Sequence, residues 1–263
     1  MKTDAELIKE LVENYLNRTY QLSLNDLDQW YGHRLCKFIT TLKNEHFEFI
    51  DIEKSATPTI VTQEINNDYE YNFADIDFQP DDVVIDIGAN IGMVSIYLAK
   101  KFPYLKIYSF EPVTINFRNF EKNIKLNNIP NNIITPIHKA VTGDGKPVTL
   151  MFCPDNSGGS GVYTNNSTGY IIKNEDKDLE SITLDDIFKE FNIKKVKLLK
   201  IDCEGSEFSI LKNCKTSTLK KIENLIGEFH QDLKSRPDCY NDQLIDYCKK
   251  YIENVNIKAI DCT

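Results

Sequence analysis

From residue 82 onward, short apolar runs and amphipathic helical stretches alternate along the chain, and that order constrains the fold more than any other feature. The apolar runs at 83–87, 105–110, 132–137, 196–201 and 222–228 have the length of strands, and the stretches 91–101, 114–126 and 206–221 repeat apolar residues at helical spacing. Strands joined by crossover helices build a parallel sheet covered on both faces. A helix over 240–252 and a sixth strand over 254–260 continue the series. The expected class is α/β: a doubly wound, Rossmann-like, mostly parallel sheet.

Upstream, residues 4–17 place Leu7, Ile8, Leu11, Val12, Tyr15 and Leu16 on one helical stripe. Residues 25–43 repeat the pattern with Leu27, Trp30, Tyr31, Leu35, Phe38, Ile39 and Leu42. Alternation over Phe47–Ile52, then a run to Val61 interrupted by Pro58, reads as a β-hairpin leading into the core. The chain thus divides into a helical N-terminal extension (1–45), a β-rich lead-in (46–80) and an α/β domain (81–263). The apolar stripe on the first helix suits a homodimer through the N-terminal helices. Between the third and fourth core strands, the insertion 143–183 holds a strand-like Pro147–Phe152 and a Gly/Ser/Asn-rich loop from Asn156 to Thr168. Loops that long are usually functional or disordered, and a substrate lid is the functional reading, with Tyr163 and Tyr170 suited to stacking on a sugar ring.

A net charge of −9 opposes binding to a phosphate backbone, so nucleic acid is not expected as a partner. No apolar run approaches the roughly 20 residues of a membrane span. The first residues read as a helix start rather than a signal peptide, which makes the cytoplasm the expected location. Seven cysteines without a Cys-x-x-Cys pair argue for reduced thiols rather than a disulfide framework or a structural zinc site.

The run Val83–Ile87 delivers Asp86 into the turn Gly88-Ala89-Asn90-Ile91-Gly92, which opens a helix. Such a turn brings backbone N–H groups and a helix N-terminus to the carboxyl end of the first strand, where open α/β sheets bind ligands. The dinucleotide fingerprint needs a third glycine for close approach of a pyrophosphate, and here Asn90 and Ile91 stand between two. Asp86 would repel a pyrophosphate and attract an ammonium. Glu111, followed by Pro112, lies 19 residues past Gly92, near the spacing at which an acidic side chain reaches ribose hydroxyls. A ribosylated ligand with an amino-acid end describes S-adenosylmethionine better than NAD. Ala140, after Ile137-His138-Lys139, is placed to flank its adenine.

With Asp86–Gly92, Phe110-Glu111-Pro112, Thr183-Leu184-Asp185-Asp186 and Lys200-Ile201-Asp202-Cys203-Glu204-Gly205-Ser206-Glu207 in order, the chain resembles the FkbM family of class I S-adenosylmethionine-dependent methyltransferases over about residues 80–230. The resemblance implies a seven-stranded doubly wound sheet and methylation of hydroxyl groups, commonly on sugars, glycolipids or polyketides. The segment past residue 230 is short for the last two strands of that fold.

Methylating a hydroxyl requires a group that loosens its proton, either a general base or a Lewis-acid metal. Asp202 ends the fourth strand, and Glu228 and His230, two residues apart on the fifth, share a face while Phe229 points into the packing. These three are the expected catalytic residues, and Asp202 also borders the cofactor. One His and two carboxylates also suit an open N/O site for Mg²⁺ or Mn²⁺. Glu204 is expected to orient Lys200 or cap the next helix, Glu207 to complement that helix's dipole, and Asp185 and Asp186 to form an N-cap cluster after Thr183. Cys203 faces away from Asp202 and is not expected to act as a nucleophile.

The acceptor expected is a small polar molecule, a sugar or sugar nucleotide above others. An NAD-dependent sugar-nucleotide oxidoreductase or epimerase shares the fold and the acidic ribose ligand. It is disfavoured by the missing glycine and by the expected lack of a Tyr-x-x-x-Lys pair, since Tyr104 and Tyr108 are followed at that position by other residues. A non-catalytic S-adenosylmethionine-binding module would bind ligand without turnover, and the acid/His set argues against it.

Overall fold

The computed structural model describes residues 35–67, 71–153, 156–161, 170–172, 179–231 and 239–261. The helix expected over 4–17, most of the one expected over 25–43, and Tyr163 lie outside them. Where the second is described it is not helical. Leu35–Leu42 is strand β1, antiparallel to β2 (Glu45–Ile52), with Leu35 opposite Ile52. Leu35, Phe38, Ile39 and Leu42 satisfy a helical period, but the β-branched run Ile39-Thr40-Thr41 favours a pleated strand. Lys43 and Asn44, at φ 46° and 70°, then close the hairpin with the two positive-φ residues that a tight turn between twisted strands requires. The hairpin expected in the lead-in therefore starts at Leu35, and α1 (Thr57–Asn67) replaces its expected second strand. Pro58, read in sequence as interrupting a strand, sits in the first turn of α1, where no backbone donor is needed.

β3 (Val83–Ile87), α2 (Met93–Lys101), β4 (Lys106–Phe110), α3 (Thr114–Leu126) and β5 (Ile134–Ile137) make the first half of the domain. The short strands β6 (Ala140–Val141), β7 (Leu150–Phe152), β8 (Tyr170–Ile172) and β9 (Ser181–Ile182) follow, then α4 (Leu184–Glu190). The second half is β10 (Val196–Ile201), α5 (Glu207–Asn213), α6 (Thr216–Leu219), β11 (Ile222–Gln231), α7 (Asn241–Cys248) and β12 (Asn254–Asp261). The main sheet runs β12-β11-β10-β3-β4-β5, and every neighbouring pair is parallel. Among the described residues it has six strands rather than the seven implied by the resemblance, with β12 alone following β11.

The helix expected over 206–221 is two helices, parted where Cys214 and Lys215 adopt extended backbone. Thr183 caps α4, accepting the Asp186 N–H at 3.1 Å, as the Thr-Leu-Asp-Asp run signals. The Asp185 side chain instead turns away from the cap, its Oδ2 accepting the Lys215 N–H at 3.1 Å.

The central strands are apolar throughout because both faces are covered. One face packs the hairpin, α1, α2 and α3 through Phe49, Ile65, Ile96 and Phe120, and the other packs α4 to α7 through Ile187, Leu211, Leu219 and Leu244. The hairpin is tied down by two asparagines, Asn123 of α3 and Asn127 at its C-cap. Asn123 Oδ1 accepts the Ile50 N–H (2.7 Å) while its Nδ2 donates to the Ile50 carbonyl (3.1 Å). Asn127 repeats the pattern on the Glu48 N–H (3.1 Å) and Glu48 carbonyl. Four helical residues rise about 6 Å and two strand residues about 6.6 Å, so the two ladders match. Among the described residues no helix is long and apolar enough to cross a membrane.

Candidate active site

The chain leaves β3 toward β4 and β5, then returns on the other side of β3 as β10 and β11. Loops diverge at such a switch point, and a cleft opens beyond the carboxyl ends of β3 and β10.

Gly88, Ala89 and Asn90 of the β3–α2 turn line this cleft, with Glu111, Pro112 and Ala140. Gly92 and Asp86 do not line it. Each glycine is explained by close packing: a Cβ on Gly88 (φ 79°) would lie 1.8 Å from the Asp202 carbonyl oxygen, and one on Gly92 (φ 87°) would enter the Phe120 ring. Amides expected to face a ligand are taken up by the protein itself, chiefly at the end of β4. Gly88 and Ala89 N–H both donate to the Phe110 carbonyl at 3.0 Å, Asn90 N–H donates to Glu111 Oε2 at 2.7 Å, and Gly92 N–H donates to the Ala89 carbonyl at 2.8 Å. Asp86 is buried beneath the turn, accepting from Ser95 Oγ at 2.6 Å and facing Lys200 Nζ at 3.3 Å.

Glu111 bridges two loops, since its Oε1 accepts the Val113 N–H at 2.8 Å. Burial pushes its carboxyl up to about 7, against the amides that favour the charge. The side-chain oxygens of Asn90 and Asn116, both residues on the cleft wall, are buried without a protein partner. The described part of the Gly/Ser/Asn loop forms a further wall. Ser157 Oγ donates to buried Asp51 at 3.1 Å, and Thr57 at the start of α1 accepts the Gly158 N–H at 2.7 Å. His138 does not line the cleft; its ring stacks on Phe117 with centroids 4.7 Å apart.

Lys200, Asp202, Cys203, Ser206 and Tyr71 also line the cleft. Lys200 Nζ donates to the Gly88 carbonyl at 2.8 Å and lies 3.8 Å from Asp202 Oδ2. Burial works against its charge, but Asp86 and Asp202 outweigh that and push it up to about 12. Asp202, 26% exposed, is the member of the acidic cluster that faces the cleft, and burial raises its carboxyl against the pull of Lys200.

Behind it, Asp202, Glu228 and His230 come together, each offering a ligand atom within 4.8 Å of the others. His230 Nδ1 lies 3.1 Å from Glu207 Oε1, and Nε2 lies 3.4 Å from Glu228 and 3.7 Å from Glu204. Burial pulls the imidazole down, yet hydrogen bonds to Glu207 and Glu228 and the charges around it push it up to about 12. It is a protonated hub among carboxylates rather than a free base. β11 runs on to Gln231, so Glu228 and His230 sit within the strand, and Phe229 packs into the core opposite them. Glu228 also pairs with Lys258 of β12 at 2.9 Å.

Glu204 does not orient Lys200; at φ 53° in the strand-to-helix turn, it turns to His230 instead. Glu207 has a role beyond the helix dipole, since its Oε1 also accepts the Cys203 and Gly205 N–H groups at 3.0 and 3.1 Å. Burial raises the Cys203 thiol well above its ordinary value, which leaves it inert at neutral pH. A Tyr-x-x-x-Lys pair does exist, against expectation: Lys101 donates to Tyr97 at 3.0 Å on α2. Tyr97 packs against Phe47 and Phe73, outside the cleft, so the pair has no access to a ligand there.

A family model described as the methyltransferase FkbM domain matches residues 86–251, more than half of the chain and all of the turn and the acid/His cluster. The chain belongs to the FkbM methyltransferase family. It is 29% identical over 167 residues to Methyltransferase 1 of Beauveria bassiana, covering 57% of this chain and 66% of that protein. It is 25% identical over 193 residues to the 31-O-demethyl-FK506 methyltransferase FkbM of Streptomyces tacrolimicus, covering 64% and 73%. It is 24% identical over 152 residues to the hexuronic acid methyltransferase AglP of Haloferax volcanii, covering 58% and 57%. The match thus spans just under two thirds of the Beauveria protein's own length. In this FkbM-family chain the matched span takes in the Gly88–Asn90 turn, Glu111 and Asp202, all of which line the cleft.

Proposed function

We propose that this chain is an S-adenosylmethionine-dependent O-methyltransferase acting on a hydroxyl of a small polar acceptor, with a sugar, sugar nucleotide or glycan precursor as the leading class. The observation that carries the reading is one cleft lined by both Glu111 and Asp202. Glu111, beside the unpartnered Asn90 and Asn116 oxygens, suits the donors of a ribose diol. Pro112 and Ala140 suit the flank of an adenine. The printed names of the Streptomyces and Haloferax relatives, an O-demethyl substrate and a hexuronic acid, favour oxygen and sugar acceptors.

When bound, S-adenosylmethionine supplies an electrophilic methyl group on a sulfonium. The chain's part is to aim an oxygen and free its lone pair. Asp202 faces the cleft and accepts the acceptor's hydroxyl proton; the burial that raises its carboxyl strengthens it as a base. Lys200 screens its charge, and His230 holds Glu207 and Glu228 in place behind it. The walls of the cleft exclude water and fix the acceptor in line, which can contribute several kcal/mol of barrier reduction.

A thermal-shift series tests the cofactor: S-adenosylmethionine and its demethylated product are expected to raise the melting midpoint, and NAD to leave it unchanged. Stabilisation by NAD alone would sink the reading, and ligand binding without methyl mass gain on any of a panel of sugar nucleotides and free sugars would favour a binding module.

The clustering of Asp202, Glu228 and His230 within 4.8 Å favours a second reading, in which these three would hold Mg²⁺ or Mn²⁺ and the ion would supply Lewis-acid chemistry at the acceptor hydroxyl. The first reading expects turnover to persist in excess chelator. A loss restored by Mn²⁺ or Mg²⁺ would establish the second.

A further inference from the structure

Tyr71 lies in the segment between α1 and β3, before the span that the family model matches. Its side chain is 2% exposed, yet the residue borders the cleft. Its hydroxyl donates to Asp202 Oδ2 at 3.3 Å, and its ring lies parallel to that of Phe73, with centroids 5.6 Å apart and planes at 2°. The ring pair fixes where the hydroxyl can be. A buried phenol needs a partner for its O–H, and here the partner is the carboxylate to which the proton-accepting role is assigned.

We propose that Tyr71 is the positioning residue for Asp202: its hydroxyl holds Oδ2 so that Oδ1 is presented to the acceptor. The inference rests on the assignment of Asp202 as base. A carboxylate at a strand end has a freely rotating terminal torsion, broad and roughly two-fold, and one fixed donor on one oxygen selects a single presentation. Lys200 Nζ, at 3.8 Å from the same Oδ2, is beyond hydrogen-bond distance and supplies charge rather than direction. The lead-in is then part of the active site as well as its cover, and the methyltransferase domain alone lacks one polar contact of its own base.

Tyr71→Phe tests this, because it keeps the ring and the stack on Phe73 and removes only the O–H. The expected result is a fall in kcat of about 10- to 100-fold, the scale of one hydrogen bond to a charged group, with acceptor KM and cofactor affinity unchanged. On an Asp202→Asn background the same change is expected to cost nothing further, since two residues acting through one interaction are not additive. A kcat within twofold of the parent overturns the proposal, as does an equal fold-loss on both backgrounds. Loss of turnover in Asp202→Asn with none in Tyr71→Phe removes this inference alone. Full turnover in Asp202→Asn removes the assignment beneath it.

Discussion

Asp202→Asn is expected to bind S-adenosylmethionine as the parent does and to turn over about 10² to 10⁴ times more slowly, the usual worth of a general base. The change is nearly isosteric. The Asp202 N–H still donates to the Ile87 carbonyl at 3.1 Å, and Lys200 keeps Asp86 at 3.3 Å as a counter-charge. What disappears is the only carboxylate of the acidic cluster that lines the cleft among the described residues. Glu204, Glu207 and Glu228 remain, but they are turned to His230 and cannot substitute without rearrangement. Single-turnover methyl transfer measured at saturating cofactor separates this effect from binding. A variant within fivefold of the parent would place the base elsewhere.

The second large effect is on stability. His230→Ala is expected to destabilise the fold by about 3–5 kcal/mol, because it leaves a buried ion pair with one partner removed. Glu207 is 1% exposed, and without the imidazole its charge keeps backbone amides, those of Cys203 and Gly205 among them, but loses the imidazolium. The sign of the pH dependence follows from the raised imidazole. A histidine held from its ordinary 6.5 up to about 12 contributes stability that is fully present below 6.5 and is lost progressively as pH rises toward 12. Glu111, pushed up by burial to about 7, and Asp51, to about 6, act in the same direction at lower pH, since each favours the folded state most when protonated. Urea unfolding at pH 6.5 and pH 9.5 is expected to show the parent losing more stability across that interval than His230→Ala. Equal pH slopes in the two proteins, or a variant within 1 kcal/mol of the parent at pH 6.5, would contradict the charged-hub description.

The sheet was legible because its strands are buried on both faces and so read as unbroken apolar runs, Val83–Ile87 and Val196–Ile201 above all. The pairing of Glu228 with His230 was legible too, because strand alternation fixes which residues share a face. The hairpin was not, since Leu35, Phe38, Ile39 and Leu42 fit both periods and the decision lies in the turn at Lys43-Asn44 and in pairing with β2. Use of the turn's own amides was hidden for a similar reason: spacing places Glu111 near the turn but cannot tell that its carboxylate is aimed at Asn90 N–H. Glu204 and Glu207 carried a signal that was undervalued, as both stand in the strand-to-helix turn after Asp202. Tyr71 carried none, for it reaches Asp202 across 131 positions of sequence from an irregular segment.

The amide ladder of Asn123 and Asn127 has a consequence for how this protein behaves in a crowded solution. A two-stranded hairpin has two outer edges, each a template on which a foreign strand can grow. On β2 the Glu48 and Ile50 rungs of that template are already read by side chains that mimic a neighbouring strand but cannot be extended by another. Accretion onto this hairpin is thereby turned away from the middle of the β2 edge. Two asparagines four residues apart serve as a terminator: they end a sheet chemically rather than sterically.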